Sequence, residues 1–183
     1  MYGLDVAATQ WVNGWAGRSA AVDLLMIWVS ALGVPLMVLA VAGQWWPRRD
    51  RWHTRHVLVA SGFAFLLGLA LNQAVLLFVH RMRPYDAGVS ELLIAPSGDF
   101  SFPSDHATAT FAVAAAFLLH GFRRRAAGLF ALALLMAVSR VYVGTHYASD
   151  VLGGAATGIA AALAVRAAYR EGTRIDNLIT RIL

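Results

Sequence analysis

Five stretches of about twenty predominantly apolar residues constrain this chain more than any other feature: 24–46, 57–79, 103–121, 126 to about 143, and 148 to about 168. At the helical rise of roughly 1.5 Å per residue, each is long enough to cross or nearly cross a bilayer. The two-residue alternation of a membrane β-barrel is absent from them. With 59% of its 183 residues hydrophobic and 14% charged, the chain carries more apolar surface than one soluble core can bury. The expectation is an all-α integral membrane protein, a helical bundle of about five to six transmembrane helices.

Residues 1–18 mix Val, Ala and Trp with polar side chains. They read equally as an interfacial helix, with Trp11 and Trp15 at headgroup level, or as a partly ordered terminus. Pro35 falls inside the first span, where membrane helices tolerate a kink, and Trp45 and Trp46 mark an interface. The first apolar stretch follows Asp5 rather than a basic start, so no cleavable signal peptide is expected. Neither an internal repeat nor a low-complexity linker divides the sequence. One domain over residues 1–183, with a motif-bearing core at about 71–168, is expected. The tail 169–183 alternates charged and apolar residues and suits the membrane surface.

The absence of cysteine excludes disulfides and thiolate metal sites. Lysine is also absent; all fifteen basic residues are arginines. The formal charge of +5 could suggest nucleic acid, but the arginines gather in short loops between apolar runs, where topology explains them better. No nucleic-acid partner is expected. If successive spans alternate direction, eleven arginines (48, 49, 51, 55, 123, 124, 125, 166, 170, 174 and 181) fall on one side and four (18, 81, 83 and 140) on the other. The positive-inside rule then makes the first side cytoplasmic. The loop 80–102 and the turn near 144–147 face the periplasm or cell exterior, from a multi-pass protein of the inner or plasma membrane.

Three segments bring reactive residues to that outer side: His80-Arg81-Met82-Arg83-Pro84-Tyr85, Phe102-Pro103-Ser104-Asp105-His106-Ala107, and Ser139-Arg140 followed by His146 and Asp150. Taken singly, each has a plain structural explanation. Arg83 before a proline can anchor the headgroup region. Pro103 and Ser104 suit a helix start, and Arg140 and Asp150 can form an ion pair. His106 is harder to explain this way, because an ionisable group in the first turn of an apolar span is costly. Together, two arginines, two histidines, an aspartate and a helix N-terminus converge on one face. The helix end and the guanidinium groups suit phosphate. Two histidines allow one nucleophile and one general acid. Asp150, four residues beyond His146, can fix its tautomer. Metal-dependent hydrolysis is disfavoured, since a His-x-x-x-His or carboxylate cluster is lacking and two arginines would repel a cation.

These residues resemble the motifs of the type 2 phosphatidic acid phosphatase family: Lys, six residues, Arg-Pro; then Pro-Ser-Gly-His; then Ser-Arg, five residues, His, three residues, Asp. Arg83-Pro84 matches the end of the first part, Pro103-Ser104 and His106 the second, and Ser139, Arg140, His146 and Asp150 the third. The sequence departs from the pattern twice. The lysine position is Leu76, leaving Arg81 or His80 as substitute donors. The glycine is Asp105, which would need a partner such as Arg81 or a histidine. The string Pro-Ser-Asp-His-Ala-Thr looks like the bacitracin-resistance type of undecaprenyl pyrophosphate phosphatase within the family.

The resemblance implies that His146 attacks phosphorus to form a phosphohistidine, Asp150 orients His146, and His106 protonates the leaving oxygen. It implies that Arg83, Arg140 and Ser104 hold the phosphoryl oxygens, with Pro84, Ser139, Asp105 and Arg81 beside them. No cofactor or metal is implied, and the partners are a membrane lipid phosphate and the bilayer itself. Undecaprenyl pyrophosphate is the leading substrate, with phosphatidylglycerophosphate or phosphatidic acid as alternatives. A non-catalytic lipid binder or transporter, and a vanadate site like that of the haloperoxidases, are the readings from other classes.

Overall fold

The computed structural model describes residues 2–46 and 50–181, and every regular element among them is helical. They are α1 (Tyr2–Asn13), α2 (Ala20–Ala42, extended by a single 3-10 turn to Trp45), α3 (Arg51–Leu76), α4 (Asp105–Leu119), α5 (Arg123–Tyr142), α6 (Ala148–Ala168) and α7 (Arg174–Thr180). Four helices are long and apolar enough to cross a membrane: Ala20–Trp45, Arg51–Leu76, Arg123–Tyr142 and Ala148–Ala168. The protein is a multi-pass membrane protein. Leu24, Leu25, Trp28, Leu36 and Leu39 of α2, Leu66 of α3, Leu132 and Leu134 of α5 and Leu152 and Leu163 of α6 are all exposed. That is the pattern of helices whose outer faces meet acyl chains rather than water.

The fifth apolar stretch is the short helix α4, 15 residues long, which spans about 22 Å at helical rise. It lies at the centre of the bundle. Every residue from Ala107 to Phe117 is buried, against α3, α5 and α6. Sheathed by the others, it need not match the full bilayer thickness. Its neighbour α6 comes unusually close because Gly154 and Gly158 face it. A Cβ on either would overlap the backbone oxygens of Ser104 or Thr108. Small residues at such crossings let two backbones approach in lipid, and this crossing holds the first turns of α4 and α6 side by side.

Helix α1 settles the ambiguity of the N-terminal segment. It lies over the α5–α6 turn. Asn13 donates to the carbonyls of Glu91 at 2.9 Å and Tyr142 at 2.8 Å, and its own carbonyl accepts from Glu91 N at 2.8 Å. At the opposite end α3 begins at Arg51, six residues before the expected 57, because its first turns are packed against the tail instead of being solvated. Arg55 donates to Thr180 O at 2.9 Å, and His56 Nδ1 lies 2.8 Å from Asp176. The tail forms α7, with Ile175 and Leu178 exposed, as a segment on the membrane surface would be. Of the loop expected at 47–55, Pro47, Arg48 and Arg49 lie outside the described residues.

Candidate active site

The turn joining α5 to α6 carries His146. Gly144 sits there at φ +83°, and a Cβ on it would overlap the carbonyl oxygen of Glu91, so only glycine lets the turn dock on the loop 80–102. Ser90 Oγ donates to Gly144 O at 2.8 Å from the same loop. His146 is thereby buried. Its Nδ1 lies 2.8 Å from the carbonyl oxygen of Ser101, and its Nε2 lies 3.4 Å from Nη1 of Arg83. A carbonyl can only accept and a guanidinium can only donate. The proton therefore sits on Nδ1, and the lone pair of Nε2 faces the arginine. Burial pulls the imidazole below the ordinary histidine range. The Asp150 carboxylate opposes that shift, while Arg140 and Arg83 add to it.

Asp150 is fully buried in the first turn of α6. It accepts from Tyr147 N at 2.8 Å, Ser101 Oγ at 2.5 Å and Arg81 Nη1 at 2.6 Å. It stands 3.7 Å from His146 Nδ1, too far for the direct hydrogen bond expected from the four-residue spacing. The link runs through Ser101, whose hydroxyl donates to Asp150 while its carbonyl accepts from the imidazole Nδ1–H. The alternative pairing of Arg140 with Asp150 does not form.

A small cavity of about 90 Å³ lies in front of Nε2, lined by Leu76, Arg83, Ser97, Asp99, Phe100, Pro103, Asp105, His106, Arg140 and His146. Arg83 is held by Asp99, with Nη2 to Oδ1 at 2.7 Å and Nε to the carbonyl at 2.9 Å, and by Thr145 O at 2.9 Å. Burial works against charge on Asp99, but its hydrogen bonds with Ser97 and Arg83 outweigh it and hold the carboxyl below its usual range. Arg140 comes from the last turn of α5 and donates to Ser30 of α2 at 2.5 Å. Its buried Nε has no partner among the described residues. His106 enters from the first turn of α4, whose leading N–H groups are unpaired within the helix. The cavity thus presents two guanidinium groups, a helix N-terminus and two imidazoles, a surround suited to a phosphoryl dianion. Among the described residues no group of three His, Asp or Glu side chains is placed to hold a metal ion.

Of the other residues picked from the sequence, Asp105 lines the cavity but pairs with neither Arg81 nor a histidine. Its Oδ1 accepts from Asn72 at 2.7 Å. Ser104 caps α4 without a side-chain bond, and its buried Oγ is unpaired among the described residues. Three side chains do not reach the cavity. Ser139 donates back to Met136 O at 2.7 Å. Pro84 is buried in the turn after Arg83, where its carbonyl accepts from Val89 N at 2.8 Å. Arg81 turns away to Asp150 and Asp5. At the missing lysine position Leu76 presents an apolar wall. His80 does not substitute, since its ring packs on Phe100 at 4.6 Å. Asp99, Ser101 and Asp5 were not legible as site residues, because each reaches the site through a loop or a distant helix and stands in no recognisable spacing.

Comparisons with known proteins show the family and the fold. A family model described as the PAP2 superfamily matches residues 56–174. The chain is 33% identical over 147 residues to the undecaprenyl-diphosphatase BcrC of Bacillus subtilis, covering 78% of this chain and 72% of that one. It is 31% identical over 140 residues to phosphatidylglycerophosphatase B of the same organism, covering 71% and 64%. The crystal structure of a transmembrane PAP2-type phosphatidylglycerolphosphate phosphatase from Bacillus subtilis superposes with a TM-score of 0.68 at 23% identity, over 94% of this chain and 88% of that one.

Proposed function

The chain belongs to the PAP2 superfamily and is a lipid phosphatase; we propose that it removes the terminal phosphate of a polyprenyl diphosphate, undecaprenyl diphosphate in the first place, through a phosphohistidine at His146. The observation that carries the chemistry is the orientation of His146. With Nδ1–H bound to Ser101 O at 2.8 Å, the lone pair of Nε2 is aimed into a cavity flanked by Arg83 and Arg140.

In the first step Nε2 attacks phosphorus and the bond to the leaving oxygen breaks. His106 gives that oxygen a proton. Nδ1 keeps its proton, so the phosphorylated imidazole is cationic, with Asp150 3.7 Å away. In the second step His106 takes a proton from water, which attacks phosphorus and returns Nε2 with its lone pair. Arg83, Arg140 and the N–H groups of α4 hold the equatorial oxygens, whose spread charge is where most of the acceleration arises. Ser104, unpaired beside Pro103, is a further donor to them. The cavity accommodates one phosphoryl group and leaves the rest of the headgroup outside it.

The polyprenyl substrate is supported by the 33% identity to undecaprenyl-diphosphatase BcrC and by Asp105 in the second motif. The likeness to phosphatidylglycerophosphatase B supports a phosphatidylglycerophosphate as the second reading. The cavity end of the bundle is proposed to face outward. Arg51, Arg55, Arg166 and the run 123–125 stand at the other end, as the positive-inside rule requires of a cytoplasmic face. Residues 1–183 are taken as one domain. The test is phosphate release from a panel of lipid phosphates in detergent, with chelator present throughout. Fastest turnover of undecaprenyl diphosphate is expected. Preference for phosphatidylglycerophosphate would select the second reading, and activity only after adding a divalent cation would overturn the mechanism.

A further inference from the structure

We propose that Asp5, on the N-terminal helix α1, is a positioning residue for phosphoryl transfer: through the Arg81 guanidinium it sets the charge that Asp150 presents to His146. The inference rests on the phosphohistidine reading above and deepens it.

Arg81 lies between two carboxylates. Its Nη1 donates to Asp150 Oδ1 at 2.6 Å and to Ser149 Oγ at 2.7 Å, and its Nη2 donates to Asp5 Oδ2 at 2.5 Å. Its guanidinium stacks 3.9 Å above the Tyr147 ring. Asp5 is fixed independently, accepting from Ser149 N at 2.8 Å and Ser149 Oγ at 2.6 Å. It therefore also satisfies an orphan N–H in the first turn of α6, from a residue 144 positions away in the chain. Thr9, one turn along α1, accepts from Ala148 N at 3.0 Å. Helix α1 is thus bolted onto the first turn that carries Asp150.

The charges give this arrangement a consequence. A fully buried carboxylate needs a paired partner, and Arg81 is that partner for Asp150. A lone Arg81–Asp150 pair is neutral, however, and a neutral pair offers His146 little help as it becomes cationic on attack. Asp5 supplies the second negative charge and leaves the cluster with one net charge of the sign the intermediate needs. Burial disfavours that charge on Asp5, but the hydrogen bonds from Arg81 and Ser149 outweigh it and keep the carboxyl below its usual range. Asp5 touches neither the cavity nor the imidazole, so it acts only through Arg81.

The test uses the full-length protein and undecaprenyl diphosphate as probe. Asp5→Asn should lower kcat ten-fold or more while KM stays within about two-fold. The conservative variant Asp5→Glu, which keeps the negative charge beside Arg81, should hold kcat within about three-fold of wild type. Thr9→Val, which loosens α1 without changing charge, should keep wild-type kcat. Turnover is normalised to folded protein measured in the same membranes, so a poorly accumulating variant still reports. Wild-type kcat in D5N, a loss in Asp5→Glu equal to that in D5N, or an equal loss in Thr9→Val would each overturn the proposal. A wild-type protein that turns over no lipid phosphate would instead overturn the underlying reading.

Discussion

Ser101 joins His146 to Asp150. Its carbonyl lies 2.8 Å from His146 Nδ1, and its hydroxyl donates to Asp150 Oδ2 at 2.5 Å. One residue therefore fixes the tautomer of the imidazole and anchors the carboxylate behind it. Ser101→Ala keeps the carbonyl and removes the anchor. A hydrogen bond to a charged group contributes about 1.5–3 kcal/mol, and if that difference is felt in the transition state kcat falls roughly 10- to 100-fold. KM should barely move, since Ser101 does not line the cavity. Steady-state kinetics of the variant check this; an unchanged kcat would show that Asp150 keeps its place without the Ser101 hydroxyl.

The pH profile follows from the surroundings of His146. Burial, then the Arg140 and Arg83 charges, pull its pKa down against the opposing pull of Asp150. The nucleophile must be neutral, so kcat/KM is lost as pH falls through that lowered pKa. The acidic limb should lie below the ordinary histidine value of about 6.5. Arg83→Gln removes one depressing charge and should shift the limb upward, whatever it does to the absolute rate. A limb at or above the ordinary value, or a downward shift in the variant, would contradict this.

Much of this was legible in the sequence. The length of the apolar runs located the long helices, and the spacing of Arg83, His106, Arg140 and His146 located four of the side chains that line the cavity. The remainder was hidden for physical reasons. Helix α4 starts two residues after the apolar run begins, because Pro103 and Ser104 precede its first turn, and nothing in composition marks it as the sheathed central helix. Arg81 looked like a phosphate donor because it stands near Arg83. It points elsewhere because Asp150, a fully buried carboxylate, takes its guanidinium as a partner. Its second partner, Asp5, is 76 residues away, and no local pattern encodes a contact of that range.

The opposite end of the bundle should matter for stability and not for turnover. Asp176 accepts from Tyr169 at 2.6 Å and Gly172 N at 2.7 Å, and lies 2.8 Å from His56. Burial raises its carboxyl, but these three bonds outweigh it and hold it below its ordinary value. Its contribution is complete above the unfolded pKa of about 3.9 and is lost only as pH falls through the lower folded value. Asp176→Asn should cost about 2–3 kcal/mol by the loss of charge-assisted bonds. Thermal melts in detergent should show the drop with kcat unchanged; a matching fall in kcat would mean that α7 communicates with the site.

Sidedness can be read with single cysteines, since the chain has none of its own. Ala87 on the cavity-side loop and Arg124 at the start of α5 are both exposed. In intact cells a membrane-impermeant thiol reagent should label Ala87→Cys and spare Arg124→Cys. The reverse pattern would place the site in the cytoplasm.

The most direct measurement is of the covalent intermediate. Wild-type protein mixed with undecaprenyl diphosphate radiolabelled in its terminal phosphate is quenched within a single turnover, and the label bound to protein is mapped. The account predicts an acid-labile, alkali-stable phosphoryl group on His146, absent from His146→Ala although that variant remains folded. Turnover without protein-bound label, label on any other residue, or near wild-type phosphate release by His146→Ala would contradict it.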